Sequence, residues 1–403
     1  MYIPLKLKKY AGYKSFQFLE PGRDYREYKL VKQVHRVNSH IIELSKTEEE
    51  RFEEILEKYV IISLHEHSKV YPENPELMKD YIRDGRIFIG YEGLAVSGLD
   101  AFFEGLHDGT GSIESKDPWA WENIIYQIGM YLCDVDHQDF LFLAKKVEDI
   151  LRAHKEGRIA FVLHLESIPN IGSNLDKIDV LYGLGVRCMG LAYSQGNIFC
   201  SGLAEKHDRG LSDLGYEAIK RMNKLGIAID LAHVSDKSRL EAIEASSKPV
   251  LITHAGARAL WPSRRLVTDE ALHALAEKGG VIGIEAAPHT TITMNKRRHN
   301  IESVMEHFEY IARLIGIDHV GFGLDTNFGD HVALHKIMAR ELAISATREN
   351  LPPFEEVEFV DGLENPSEFH NVIRWLIKHG YSDEEIGKVI GGNVLRVLKE
   401  VWV

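Results

Sequence analysis

Residues 227–254 read IAIDLAHVSDKSRLEAIEASSKPVLITH, and this stretch decides the fold class. An apolar run of strand length, Ile227 to His233, is followed by a longer helical pattern and then by a second apolar run, Val250 to His254. Strand, helix and strand in succession make a βα repeat, the unit of a parallel sheet. Working outward, the alternation continues in both directions. Toward the N-terminus the runs are Val60 to His65, Val96 to Phe103, Ile159 to Glu166 and Val186 to Ala192; toward the C-terminus they are Val281 to Glu285 and Val320 to Asp325. Eight parallel strands in a chain of 403 residues close most economically into a TIM-like (β/α)8 barrel, an α/β fold whose active sites lie where the strands end.

Residues 1–46 precede this pattern. They carry the turn signal Pro21-Gly22 and short alternating stretches such as Tyr28-Lys29-Leu30-Val31, the marks of a small β-rich appendage. Ser45-Lys46-Thr47 followed by EEERFEEILEKY reads as a capped amphipathic helix with acidic residues in its first turn. The barrel is therefore expected over residues 47–403. Two long inserts, at about 107–120 and about 327–360, are expected to cover the barrel mouth as lids.

Acidic residues outnumber basic ones by 61 to 48, and a formal charge of -13 opposes attraction to phosphate backbones or anionic lipid. A small-molecule substrate is the expected partner, with neither nucleic acid nor membrane. The opening MYIPLKLKKYAGYKSF lacks the apolar stretch of a signal peptide, and no later segment offers the ~18 uncharged apolar residues of a spanning helix. A soluble, cytoplasmic protein is expected. Cys133, Cys188 and Cys200 form no Cys-x-x-Cys pair and are each expected to be a buried small hydrophobe.

The chemistry is carried by the ends of the runs. VIISLHEHS, residues 60–68, places His65 and His67 two apart, so that strand alternation projects both to one side as a metal-ligand pair, while Glu66 faces the other side. IAFVLHLES ends in Glu166, a carboxylate on an apolar strand that a cation would neutralise. His233, His254 and Asp325 close three further runs, and Glu285 a fourth. Singly, each has an ordinary structural reading; together, imidazoles and carboxylates at so many strand ends suit zinc or a similar divalent ion. Four histidines and a carboxylate exceed what one tetrahedral ion needs, so two divalent metal ions bridged by Glu166 are expected, with a hydroxide held between them as nucleophile. Asp325 is the residue expected to orient that water and pass its proton to the leaving amine. His164 is expected to be a packed strand histidine, Trp119 and Trp121 packing residues, and His289, His331 and His335 solvated loop residues.

Several segments carry a resemblance: LYGLGVRCMGLAYSQGN, GLSDLGYEAIKRMNKLGIAIDLAHVS, PVLITHAGARALWPSRRLVTDEAL, IGIDHVGFGLD and GYSDEEIGKVIGGNVLRVL. In this order they resemble the renal (membrane) dipeptidase family of zinc dipeptidases, a branch of the amidohydrolase superfamily, over roughly residues 55–403. The resemblance implies the barrel, a binuclear zinc site and hydrolysis of dipeptides bearing a free amine and a free carboxylate, and it leaves a homodimer open. It places the bridging glutamate at Glu166, the histidines of the second metal at His233 and His254, and the strand-end aspartate at Asp325. The arginine that grips the substrate carboxylate falls on Arg265, with Arg264 as its surface neighbour.

Two positions depart from the family pattern. Where the family has His-x-Asp on the first strand, this chain has His65-Glu66-His67, which makes the site one unit more positive. Where the family has a substrate-contacting histidine after the fourth strand, this chain has Tyr193, which either donates a hydrogen bond to a developing oxyanion or fills space. The segment after Asp325 also differs, running Thr326-Asn327 in place of Phe-Asp-Gly. The leading expectation is a metallo-dipeptidase cleaving dipeptides or similar small amides. The alternatives are an amidohydrolase-type enzyme on another amide, lactone or cyclic substrate, and a non-catalytic relative.

Overall fold

A computed structural model of the chain describes residues 8–106, 119–340 and 342–402, so the first expected lid lies almost wholly outside the described residues. Eight parallel strands form the closed barrel: β1 (Ile62–Glu66), β2 (Ala101–Leu106), β3 (Ile159–Leu165), β4 (Val186–Gly190), β5 (Ala228–Asp230), β6 (Leu251–Ala255), β7 (Val281–Ile284) and β8 (Val320–Phe322). Each pairs with its neighbours in the order β2-β1-β8-β7-β6-β5-β4-β3, and the β2–β3 ladder, Ala101 opposite Ala160 through Leu106 opposite Leu165, closes the ring. Every residue of these strands is buried, which explains why they read as unbroken apolar runs rather than as alternating ones. A short segment, Leu141–Leu143, adds to the N-terminal half of β3.

The expected second strand shifts. Val96 terminates the helix Tyr91–Ala95, Gly98 turns the chain at φ 83°, and pairing begins only at Ala101. An apolar run has no periodicity to separate a buried helix end from a buried strand start.

The connections are short and chemically explicit. Ser212 caps the helix Asp213–Leu225 by accepting from Gly215 N, and Gly226 ends it at φ 75°. Ser235 caps Asp236–Ala245, Thr268 caps Asp269–Glu277 and Asn300 caps Ile301–Ile315. Such caps satisfy the first-turn N–H groups and fix where each helix begins. The cap Ser235 follows His233 by two residues, so the strand-end histidine is held between a buried ladder and a helix start.

Residues 8–45 form no extended strand, and the expected β-rich appendage is corrected to an irregular strap. Its only β pairings among the described residues are the isolated bridges Pro21 to Tyr25 and Leu30 to Pro72. Beyond a few backbone bonds such as Val31 N to Tyr71 O, side chains tie it down: Tyr13 Oη and Phe16 N donate to Asp134, Ile42 N to Asn371, and Arg36 pairs with Glu364 at 2.5 Å. The helix at residues 46–58 forms as expected, with Ser45 and Glu48 making a reciprocal capping box. No helix among the described residues is long and apolar enough to cross a membrane. Cys188 and Cys200 are buried, but Cys133 is exposed on its helix, contrary to expectation.

Candidate metal centre

The strand ends bring five side chains to one point. Glu166 Oε1 lies 3.7 Å from His65 Nε2 and 4.0 Å from His67 Nε2, while Oε2 lies 3.6 Å from His233 Nε2 and 3.8 Å from His254 Nε2. Within each pair the imidazole nitrogens nearly meet, 3.3 Å apart for His65 and His67 and 3.0 Å for His233 and His254. One carboxylate thus stands between two histidine pairs, each oxygen facing one pair. Asp325 completes the first half, its Oδ1 3.2 Å from His67 Nε2 and 3.5 Å from His65 Nε2. Three donor sets of metal-binding type result: His65, His67 and Glu166; Glu166, His233 and His254; His254, Glu285 and Asp325.

The other ring nitrogens of His65, His233 and His254 are held from behind. His65 Nδ1 lies 3.1 Å from His164 Nδ1, and His164 Nε2 lies 3.2 Å from Asp230 Oδ2. His233 Nδ1 sits 3.1 Å from Ser194 Oγ, and His254 Nδ1 sits 2.8 Å from Thr253 Oγ1. Such partners fix which nitrogen faces the centre. Burial holds His65, His233 and His254 well below the ordinary imidazole pKa, with the Arg265 charge adding to the effect at His233 and His254. All three present neutral lone pairs, the form that binds cations. At Asp325 burial acts upward, but the hydrogen bond to His67 and the surrounding imidazoles outweigh it and keep the carboxyl well below its usual value.

Backbone geometry serves the same end. The β1–β2 register shifts between Ser63 and Glu66, beside His65, where a bulge re-aims side chains. Asp325 and Ser194 both adopt φ 54°, a left-handed conformation uncommon for residues with a Cβ and concentrated at functional sites. Gly105 on β2 leaves the space the centre needs. A Cβ there would stand 2.6 Å from Cε1 of both His65 and His67 and 2.7 Å from Glu166 Oε1.

The segments that follow β5 and β6 are stitched together by charge. Asp236 accepts two hydrogen bonds from Arg258, at 2.5 and 2.8 Å, and one from Arg239 at 3.1 Å, while the fully buried Arg239 also donates to the carbonyls of Leu231 and Val234. Burial acts to raise the Asp236 pKa, yet these guanidinium bonds and charges leave it lowered, so the carboxylate stays ionised.

The remaining sequence-predicted residues fall as follows. The Tyr193 ring stacks on His233, centroids 4.2 Å apart at 22°. Arg265 is buried and donates to Glu285 Oε2 at 2.5 Å, His254 O at 2.8 Å and Ala232 O at 3.2 Å. Burial pushes the Glu285 carboxyl up to about 7 against the Arg265 charge. Glu66 points away from the centre and is bound by Ser63 Oγ and by Thr326 N and Oγ1. His164 is the packed strand histidine expected. His289, His331 and His335 are buried rather than solvated: the segment after Asp325 folds back as the helix His331–Ile337, and His289 is enclosed by Arg348 and Val357 N. Trp121 opens the helix Trp121–Val135 and packs half-buried against the core. Sequence reasoning missed Asp230, Ser194, Thr253 and Gly105. Asp230 alone had a signal, as a charge inside the apolar run Ile227 to His233.

A (β/α)8 barrel whose mouth gathers four histidines around a carboxylate defines the class of the protein. The chain belongs to the membrane dipeptidase family, peptidase family M19, whose model matches residues 116–336 and 354–402. Among curated relatives it is 30% identical over 267 residues to the dipeptidase tcpJ of Claviceps purpurea, covering 66% of this chain and 56% of that protein. It is likewise 30% identical to the dipeptidase aclJ of Aspergillus oryzae, covering 65% of this chain and 57% of that protein. The chain thus spans little more than half the length of these relatives. The crystal structure of an amidohydrolase from Pseudomonas aeruginosa superposes with a TM-score of 0.71 at 24% identity, covering 87% of this chain and 99% of that one. A metallo peptidase from Rhodobacter sphaeroides, liganded with a phosphinate mimic of L-Ala-D-Ala, reaches a TM-score of 0.67 at 18% identity, covering 85% and 99%. These two likenesses bear on the fold.

Proposed function

We propose that this chain is a hydrolase of dipeptides or similar small amides that works with two divalent ions, zinc by the character of the donors. The observation that carries this reading is the division of Glu166 between the two histidine pairs. The donor set fits the ions: the neutral imidazoles of His65, His233 and His254, each of restricted tautomer, the His67 ring beside them, one shared carboxylate, and a space at Gly105 that a methyl group would fill. His65, His67 and Glu166, with Asp325 beside them, would hold one ion; Glu166, His233 and His254 would hold the other. Bound there, such ions supply Lewis acidity toward a carbonyl oxygen and lower the pKa of water toward neutrality.

The chain's own groups supply the rest. Asp325 is the carboxylate at the mouth that keeps some exposure, 15% of its side chain, and it is held ionised; it accepts a proton from water at Oδ1 and returns it to the leaving amine. The stack of Tyr193 on His233 supports a role in holding that ring and in lining the pocket beside the scissile bond. The dipeptidase names of the fungal relatives and the dipeptide mimic bound to the Rhodobacter sphaeroides enzyme support a dipeptide-like substrate. Metal content per chain by plasma mass spectrometry, on protein purified without chelator and then supplied with zinc, tests the reading. About two ions per chain, with dipeptide turnover that a chelator abolishes, is the expected result; no ion and no turnover after reconstitution would overturn it.

A further inference from the structure

The helix His331–Ile337 and the described residues after it run across the barrel mouth. Leu334, Met338 and Leu342 share a buried apolar cluster with Tyr71 and Tyr81, which lie between β1 and β2, and Tyr193 and Ile344 pack against that cluster. Tyr193 follows β4 and stacks on His233, so the insert reaches from the β1 side of the centre to the β4 side. Beyond it, Ser263 Oγ, after β6, donates to Thr347 O at 3.0 Å, and Arg348 Nη2 donates to Nδ1 of His289, after β7, at 3.2 Å. Leu351 and Phe354 pack against Trp261, Leu266 and Ile292. Under this cover the ligand side chains are almost closed off: His65 is 0% exposed, His254 1%, Glu166 2% and His233 8%. The cavity lined by Ala286, Thr326 and His331, the first two next in the chain to Glu285 and Asp325, has a volume of about 10 Å³, room for one water molecule. Pockets that take small organic ligands begin at ~300 Å³.

One part of the cover is built to move. Ala343, at φ 55°, and Asn350, at φ 59°, bracket the short helix Ile344–Thr347. The left-handed region is strained for residues with a Cβ, and such residues collect at switch segments, where a hinge concentrates its change of φ and ψ. The family match breaks off between residues 336 and 354, around this same segment. His289 clasps it at both ends: Arg348 lies at Nδ1, and Val357 N lies 3.2 Å from Nε2. Burial keeps the ring neutral, its pKa pushed down to about 4, and a neutral imidazole has one acceptor nitrogen. Glu356 Oε2, 3.5 Å from Nε2, draws the ring proton there and leaves Nδ1 as the acceptor for Arg348. The clasp is therefore a single good hydrogen bond with a poorly paired Val357 N–H beside it, strong enough to hold the segment and weak enough to release it.

We infer that residues 343–350 form a gate over the centre, shut by the clasp of Arg348 on His289 and swung open about Ala343 and Asn350 to admit substrate and metal ions. The inference takes from the proposed function only that both must reach the strand ends.

Arg348→Met keeps most of the side chain and removes the clasp. Diethyl pyrocarbonate, which acylates the imidazoles it can reach, is applied to the metal-free full chain and read residue by residue with peptide mass spectrometry. His233 and His254 should be modified about fivefold faster in the variant, the weight of one hydrogen bond on an opening equilibrium. The fully buried His307, on the helix Ile301–Ile315, should keep its rate. Zinc association and dissociation should both accelerate by a similar factor with the affinity unchanged, because a gate alters access and not the bound state. Unchanged rates in either measurement overturn the inference. So does acceleration that extends to His307, or a shifted zinc affinity, since either marks Arg348 as a general support of the fold. Should Arg348→Met not fold, His289→Asn removes the clasp from the other side with a residue that tolerates the left-handed backbone there, at φ 63°. A chain that takes up no zinc would overturn the proposed metal chemistry, and the modification rates would still decide the gate.

Discussion

His164 Nε2 stands 3.2 Å from Asp230 Oδ2, and the other nitrogen of the same ring stands 3.1 Å from His65 Nδ1. The three residues come from β3, β5 and β1, so a carboxylate two strands away from β3 sets the orientation of a histidine at the centre. Asp230 is itself anchored by Thr253 N at 2.9 Å and Ala232 N at 3.1 Å, the backbone flanking His254 and His233. Asp230→Asn keeps the shape and removes the charge. Its expected effect is a loss of roughly 10–100-fold in metal affinity or in kcat, the range for partners lying behind ligands. Unchanged zinc titration and unchanged turnover would sink the relay.

Glu166→Gln removes the shared carboxylate while keeping its volume. Metal content and activity should fall together, activity by more than the roughly 100-fold upper range for outer partners. A variant that retained about two ions per chain, measured by plasma mass spectrometry, would remove the bridging role.

Gly105→Ala tests the space rather than the ligands. Its backbone is not in the left-handed region, so the added methyl acts by contact alone, at 2.6 Å from both His65 and His67. Overpacking of this kind costs about 1–3 kcal/mol. Thermal melts should show that modest loss, and zinc affinity should drop by about tenfold or more as the two rings are pushed apart. Wild-type affinity in a folded Ala variant would show that the rings do not need their present spacing.

Glu368 offers a pH test away from the centre. Burial first, then the charges of Glu364 and Asp361, push its carboxyl up to about 8 from an ordinary 4.5, although Ser39 and the Glu364 N–H bind it. The folded pKa lies above the unfolded one, so the folded state holds the proton more tightly. The stabilisation that this carboxyl contributes is fully present below about 4.5 and is lost as pH rises through about 8. Glu368→Gln should flatten that part of the profile, gaining on wild type at pH ~9 relative to pH ~5. Parallel melting curves across the range would exclude the carboxyl as their cause.

Much of the architecture was legible in the chain because parallel strands buried on both faces require unbroken apolar runs, and caps such as Ser212, Ser235 and Thr268 announce the helices between them. The ends of those runs exposed His65, His67, Glu166, His233, His254 and Asp325, because a polar side chain closing an apolar strand is locally conspicuous. The strap at residues 8–45 is not legible in the sequence because its pairing partners, Asp134, Asn371 and Glu364, lie about a hundred to over three hundred residues along the chain. The burial of His331 and His335 is likewise hidden in the sequence, because burial of a helix beyond the last strand depends on what lies opposite it.

What the sequence determined by itself, then, was the barrel and the residue types at its mouth, both properties of short local patterns. Only the tertiary structure decided that Glu166 faces one histidine pair with each oxygen, that Asp230 reaches His65 through His164, and that Glu285 lies on Arg265. Those relationships are distances between strands far apart in sequence. They depend on ring closure and register, for which a linear pattern carries no coordinate.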